Sequence, residues 1–412
     1  MTVALHDAAT LDAVDPLAAY RDAFVAADDE SIVYLDGNSL GRPPLAVADR
    51  MTQFITESWG TRLIRGWDEG WFEAPLEIGD RLGHLVLGAA PGQTIVADST
   101  TVSLYKLIRA ALAARPDRSR IVIDRANFPT DRYVVQGIAA ETGAQVDWID
   151  TDPATGVTVA DVAAVLGPDT AVVVLSHIAY RSGYIADIPA ITAATHAAGA
   201  VVVWDLCHSA GVLPLELDAW GVDFATGCTY KYLNGGPGSP AFLYVRAEHI
   251  PTAVQPIPGW MGVKDSFLMG PDYQPADGIR RFISGTPPIL AMMPLSVSLE
   301  IIEQVGIDAI REKSIALTDY AIELYDQILA ALGVTLSSPR EADVRGGHIT
   351  VDHPEFPVLI SSLWERGVIP DFRPPTGIRL GMSPLSTSFT EVRRAIVAIG
   401  EELIARTERS NL

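Results

Sequence analysis

Cysteine is almost missing from this 412-residue chain, which has only Cys207 and Cys228. Two cysteines cannot build a disulfide framework or a four-cysteine metal site, and no metal is expected. They suit a reducing compartment, so the expected location is the cytoplasm. Basic charge is scarce too: 30 Lys and Arg stand against 51 Asp and Glu, a net charge of −21. Nucleic-acid binding and attachment to acidic membrane surfaces both lean on Lys and Arg, so neither partner is expected. No apolar run reaches the roughly 18–20 residues that span a bilayer. Met1 to Tyr20 lacks a basic segment ahead of an apolar stretch, so no secretory leader is expected. Repeats and low-complexity tracts are absent. The glycines of Gly235-Gly236-Pro237-Gly238 do not follow the dinucleotide-binding spacing, and proline interrupts them.

What remains is a globular composition, 48% apolar and 20% charged, long enough for two or three lobes. The first 30 residues are rich in Ala and Asp and can form a helix, followed by a short strand at Tyr34-Leu35 that breaks into a Gly/Asn turn. From about Pro91, short runs that are apolar throughout alternate with helical stretches. Ile121–Ile123, Ala171–Leu175 and Ala200–Trp204 suit strands covered on both faces. Between them, Thr101–Ala114 gathers Leu104, Leu107, Ile108, Ala111 and Leu112 on one helical face, and Ile188–Ala198 is also helical. This alternation predicts an α/β fold whose mainly parallel sheet lies between helices. Helical sequence returns after about Ala291, including Ile310–Leu332, and a smaller α/β region closes the chain. The expected division is an N-terminal segment (1–49) packing on the small domain, a large domain (50–295) and a small C-terminal domain (296–412).

Ligands of open parallel sheets bind beyond the carboxyl ends of the strands. The apolar runs end in Asn127-Phe128-Pro129-Thr130-Asp131, in Ser176-His177, in Asp205-Leu206-Cys207-His208 and in Thr229-Tyr230-Lys231-Tyr232. Asp205 and Lys231, 26 residues apart on successive strand ends, are the informative pair. Pyridoxal phosphate needs a lysine amine to hold its aldehyde as a Schiff base. It also needs an acid beside its ring nitrogen, so that the ring draws in electrons. A lone lysine is usually solvated, and a lone aspartate at a strand end often caps a helix. The pair, with a glycine-rich turn behind the lysine, favours the cofactor. Asp98-Ser99-Thr100-Thr101 opens a helix and offers hydroxyls and free N–H groups to a phosphate, a geometry shared with simple capping.

Four segments carry a resemblance: Tyr34-Leu35-Asp36-Gly37-Asn38-Ser39-Leu40-Gly41, Phe128-Pro129-Thr130-Asp131, Trp204-Asp205-Leu206-Cys207-His208-Ser209-Ala210-Gly211 and Tyr230-Lys231-Tyr232-Leu233-Asn234-Gly235-Gly236. Together they resemble the kynureninase family, fold type I pyridoxal phosphate enzymes of the aspartate-aminotransferase-like group. The resemblance runs from about residue 30 to about 390. It implies hydrolysis of L-kynurenine to anthranilate and L-alanine, with the 3-hydroxy derivative as a further candidate substrate. By the same resemblance Lys231 holds the cofactor, Asp205 pairs with its ring nitrogen beside His208, and Phe128 stacks on its face. Thr100, Thr101, Pro129, Thr130, Asp131, Ser176 and Tyr230 surround it, and Tyr230 also serves as a proton donor. Trp260 and Thr286 match positions that reach across from a second subunit, which implies a homodimer with shared active sites. Arg379 matches the arginine that grips the substrate carboxylate, and Asn38 approaches the same group. Gly66-Trp67-Asp68-Glu69-Gly70-Trp71 is expected to bring an aromatic to the substrate ring, through Trp67 or Trp71. Ser284-Gly285-Thr286-Pro287-Pro288 resembles the bacterial loop that favours plain L-kynurenine, whereas His177–Gly183 departs from the family's usual residues. The competing readings are a cysteine desulfurase or other C–S lyase, an aminotransferase, and a non-catalytic regulator on the same fold. Desulfurases carry a nucleophilic cysteine in the C-terminal half, and this chain has none after Cys228.

Overall fold

Val172, Val173, Val174, Val201, Val202 and Val203 are all fully buried, as residues of strands covered on both faces must be. The computed structural model of the chain describes residues 7–152 and 154–410. Residues 1–6, Pro153 and 411–412 of the expected segments lie outside the described residues.

Strands are numbered along the chain: β1 (Val33–Leu35), β2 (Thr94–Val96), β3 (Arg120–Asp124), β4 (Gln145–Ile149), β5 (Thr170–Ser176), β6 (Val201–Asp205), β7 (Phe224–Gly227), β8 (Phe242–Val245), β9 (Thr335–Leu336), β10 (His348–Asp352), β11 (Val368–Arg373) and β12 (Gly377–Gly381). The large sheet has the order β2-β8-β7-β6-β5-β3-β4. From β7 to β4 every neighbour is parallel, while β8 and β2 add antiparallel pairings at one edge. The chain returns from β7 to β8 through the Asn234–Gly238 turn with no helical crossover, and such a return gives an antiparallel pair.

The period-two alternation of the strands sends their side chains into two cores. Val172, Val174, Val201 and Val203 meet Leu104, Leu107 and Ile108 of the helix Thr100–Ala113. Val173, Leu175, Val202 and Trp204 meet Ile188 and Ile191 of the helix Ile188–Ala197, with Leu295 and Leu299 of the helix Ile289–Val305.

The second sheet has the order β1-β11-β12-β10-β9. β1 joins it in parallel, Val33 opposite Val368, so an N-terminal strand completes a sheet built by the C-terminal region. A third core fills the space between this sheet and the helices Ile307–Leu324 and Phe389–Ser410.

Two expected helices differ in extent. The N-terminal one is Ala8–Val14 only, followed by a 3-10 turn at Ala18–Ala23. Pro16 lacks an N–H and disfavours helical backbone at Asp15 before it, so the helix ends there. The expected Ile310–Leu332 helix starts earlier, at Ile307, and its last turns change to π and then 3-10 geometry over Tyr325–Leu332.

Candidate active site

The parallel register sets Ser176 beside Asp205 and Asp205 beside Thr226, so the polar ends of β5, β6 and β7 form one row. After β7 the chain turns sharply. Thr229 is fully buried, its hydroxyl lies 2.6 Å from both the Pro240 carbonyl and Ser239 Oγ, and its carbonyl accepts from the Gly235 N–H. Asn234, at φ +50°, closes the turn and donates from its side chain to the Arg42 carbonyl at 2.9 Å. The N-terminal loop comes in against this turn, with the Gly41 N–H donating to the Tyr230 carbonyl at 2.8 Å. A Cβ at Gly41 would lie 2.4 Å from the Lys231 carbonyl oxygen, so only glycine allows that approach.

The turn delivers Lys231 to a cleft. The chain has four lysines, and the other three are placed elsewhere. Lys106 is buried against Asp98, Lys313 pairs with Asp15 at 2.6 Å, and Lys264 is exposed. Lys231 Nζ lies 3.2 Å from His208 Nε2 and 5.9 Å from the centroid of the Phe128 ring. Asp205, His208 and Tyr230 line the same cleft, as do Phe128, Thr130, Asp131 and Ser176. Thr100 and Thr101 face it from the first turn of the helix Thr100–Ala113, whose Ser99 cap accepts from the Val102 N–H. Pro129 does not line the cleft. It is the first residue of the helix Pro129–Thr142, where its missing N–H costs nothing.

Burial and charge set the protonation of this cleft. His208 is pushed well below the usual histidine range by burial first, and then by the Lys231, Arg379, His348 and Arg373 cations and imidazole around it. It is therefore neutral, and with its proton on Nδ1 its Nε2 accepts from Lys231. Asp131 is pushed well up, by burial first and then by the Asp205 carboxylate beside it. Tyr230 is also raised, by burial and then by Cys228, and keeps its phenolic hydrogen.

The donor set fits an aromatic aldehyde that carries a phosphate. Asp131 Oδ2 is buried with no hydrogen-bond partner among the described residues, while Asp205 Oδ1 accepts the Cys207 N–H at 2.7 Å. Two acidic groups, a lysine, hydroxyls and a helix N-terminus thus line one cleft.

Arg379 is fully buried on β12. Its Nη1 donates to the Tyr180 carbonyl at 2.7 Å and its Nη2 to Ser39 Oγ at 2.8 Å. Asn38 is also fully buried, and neither its amide nitrogen nor its oxygen has a partner among the described residues. Its Oδ1 lies where a Cβ on Gly381 would sit, at 1.8 Å. Trp67 and Trp71 are half-buried and meet edge-on with centroids 5.7 Å apart, and neither lines the cleft. Trp260 is 38% exposed, Thr286 is exposed, and the structure brings neither to the Lys231 cleft of the same chain.

Sequence reasoning missed several neighbours. Tyr180 lines the cleft and meets Phe128 edge-on at 5.4 Å. Cys207 lines it too, and its thiol accepts the Cys228 N–H at 3.2 Å. Asn127 Oδ1 accepts from both the Phe128 N–H at 2.7 Å and Ser176 Oγ at 2.8 Å, tying two strand ends together. The one signal available was position, since Asn127 and Cys207 sit inside strand-end segments already singled out. Both cysteines are buried, which is not the setting of a nucleophile on a mobile loop.

The family model of class-V aminotransferases matches residues 33–358. A kynureninase from Pseudomonas fluorescens is 42% identical over 409 residues, covering 98% of this chain and 96% of its own length. One from Burkholderia pseudomallei (strain 1106a) is 41% identical over 404 residues, covering 97% and 95%. Among solved structures, the apo cysteine desulfurase of Thermococcus onnurineus NA1 superposes with a TM-score of 0.81 at 19% identity, over 94% of this chain and 98% of its own. A C-DES mutant with glycine covalently linked to its PLP cofactor also superposes at 0.81, with 17% identity, over 92% and 99%. At those identities the two structures speak for the fold alone.

Proposed function

The chain belongs to the class-V aminotransferase family and, within it, to the kynureninases, and from that premise we propose how its own residues work. It is a pyridoxal phosphate enzyme that hydrolyses L-kynurenine to anthranilate and L-alanine. The observation that carries this reading is the end-to-end identity with curated kynureninases in a chain whose Lys231 faces Asp205 and Asp131 in one cleft.

When bound, the cofactor supplies an aldehyde for amines and a protonated ring that takes up the electron pair released at the substrate carbon. Lys231 Nζ would hold that aldehyde, and its amine, once free, would take the substrate α-proton as general base. Neutral His208 accepts from Nζ and keeps it aimed into the cleft. Asp205 would pair with the ring nitrogen, and Asp131 stands beside it, pushed up first by burial and then by the Asp205 carboxylate. Phe128, whose N–H donates to Asn127 Oδ1, would stack on the ring. Thr100, Thr101 and the helix N-terminus would take the phosphate. Arg379 grips the α-carboxylate, with Asn38 behind it. Water adds at the γ-carbonyl and the β–γ carbon bond breaks to give anthranilate; Tyr230 would give its phenolic proton to the β-carbon and regain one from the added water, and Lys231 would return the α-proton, which leaves L-alanine.

Trp260 and Thr286 complete the site of a partner subunit, so the working unit is a homodimer. Two exposed apolar groups support this: Trp59, Leu63 and Ile64 (52%, 57% and 77% exposed), and Phe267, Leu268 and Met269 (58%, 72% and 72%). The 1–49 segment belongs with the small domain (296–412), facing the large one (50–295). The small residues Ser284-Gly285-Thr286 favour plain L-kynurenine over its 3-hydroxy derivative, and Trp67 or Trp71 faces the substrate ring. No single helix among the described residues is long and apolar enough to cross a membrane, and the cytoplasm is the proposed location.

The test is to add L-kynurenine to purified protein with pyridoxal phosphate and follow anthranilate fluorescence. Steady anthranilate release is expected. A keto acid with no anthranilate would make the protein an aminotransferase instead.

A further inference from the structure

Four charges gather where β11, β12 and the N-terminal loop meet: Asp36, Asp371, Arg373 and Arg379. Asp371 and Arg379 are register partners on adjacent antiparallel strands, so their side chains share a face. One carboxylate oxygen, Asp371 Oδ2, lies 2.7 Å from Arg379 Nη2 and 2.6 Å from Arg373 Nε. Asp36 Oδ1 is farther from Arg379, at 3.9 Å. Arg373 in turn lies 5.8 Å from the centroid of Tyr180, whose ring borders Phe128.

Arg379 is wholly buried, and such a cation is held in place only where a counter-charge meets it. Its side chain has five N–H donors. Two donate, to the Tyr180 carbonyl and to Ser39 Oγ, Asp371 Oδ2 forms an ion pair with Nη2, and Nε is buried without a partner among the described residues. Tyr180 offers a main-chain carbonyl and Ser39 a neutral hydroxyl, so Asp371 supplies the nearest charge. We infer that Asp371 is a positioning residue for substrate recognition. It fixes the plane of the Arg379 guanidinium so that the remaining donors meet the α-carboxylate, and it holds Arg373 against the Tyr180 wall. This rests on the reading that Arg379 binds that carboxylate.

A competing role is possible for the same contact, because an anion bound to Arg379 could simply compete with the substrate's. The two roles give opposite signs. L-Alanine carries only the amine and the carboxylate, and L-alaninamide replaces the carboxylate with a neutral group. Their affinities for the holoenzyme, read from the visible spectrum of the bound cofactor, isolate the contact. In Asp371→Asn the preference for L-alanine over L-alaninamide should fall roughly tenfold, the scale of a charged hydrogen bond. kcat/KM for L-kynurenine should fall with it. Asp371→Glu keeps the charge but shifts the oxygen by a methylene, and should lie between the two. If Asp371→Asn does not fold, a preference in Asp371→Glu equal to the parent's overturns the proposal. An unchanged or increased preference in Asp371→Asn also overturns it, an increase marking Asp371 as a competitor. Arg379→Lys separates the premise. If it leaves the preference intact, the carboxylate reading of Arg379 itself fails. If it abolishes the preference while Asp371→Asn does not lower it, only the positioning role fails.

Discussion

In the proposed mechanism the chemistry turns on Lys231, and the surroundings of that residue give its replacement a specific outcome. Lys231→Ala should fold, since the side chain points into a cleft and makes one hydrogen bond, to His208. Circular dichroism should match the parent, while the visible absorbance of the covalently held cofactor and the activity should both vanish. Tyr230→Phe removes only a hydroxyl. If that hydroxyl delivers a proton, kcat should drop by about 10²-fold with KM little changed. Normal turnover would assign the proton to another donor. The places of Lys231 and Asp205 were legible in the sequence because Asp205 ends the apolar run of β6 and Lys231 follows β7 beside it, which fixes the sheet end where both emerge. Asp371, Tyr180 and His348 were not. Their places depend on the pairing of β10 to β12 and on the small sheet's docking, which no local spacing encodes.

At the scale of elements, the opposite ends of β6 and β7 hold a structural clamp. Asp223 precedes β7 and accepts from His196 Nε2 at 2.8 Å, from His249 Nε2 at 2.7 Å and from the Val202 N–H at 2.9 Å. Burial alone would raise its pKa, but these donors overcome it and bring the group from 3.8 down to about 2. A depressed carboxylate stabilises the fold above its unfolded value, and that contribution fades as pH falls from about 4 toward 2. The amount is about 2 kcal/mol. His196 is raised, chiefly by the same Asp223 contact. Its share is complete below 6.5 and is lost as pH climbs through the raised value. Stability from the clamp should therefore peak between roughly pH 4 and pH 6.5. Thermal midpoints measured across pH should show this maximum, and Asp223→Asn should flatten it. A variant with the parent's profile would remove the clamp. The strands themselves were readable wherever the chain runs apolar on both faces. β8 (Phe242–Val245) is such a run too, buried throughout, but it follows a tight turn and no helix, so the strand–helix alternation passed over it, while the two residues of β9 leave no run at all.

For the whole molecule, the exposed apolar loop around Phe267 to Met269, and a Lys231 cleft that Trp260 of the same chain does not line, make the proposed assembly testable. Lys231→Ala and Trp260→Ala should each be inactive alone. Mixed and allowed to exchange subunits, they should regain about a quarter of the parent activity, because half the dimers then hold one complete site. No recovery in a mixture shown to have exchanged would place Trp260 outside the shared site. Fold class was legible from strand–helix alternation. The proposed shared site rests on resemblance alone, since a contact between two copies leaves no period in one sequence.

The most direct test of the account uses the scarcity of lysine. Borohydride reduction of the holoenzyme, followed by peptide mass spectrometry, locates the bonded amine among Lys106, Lys231, Lys264 and Lys313. The phosphopyridoxyl mass should appear on the Lys231 peptide alone. Its presence on Lys106, Lys264 or Lys313 with Lys231 unmodified would contradict the account.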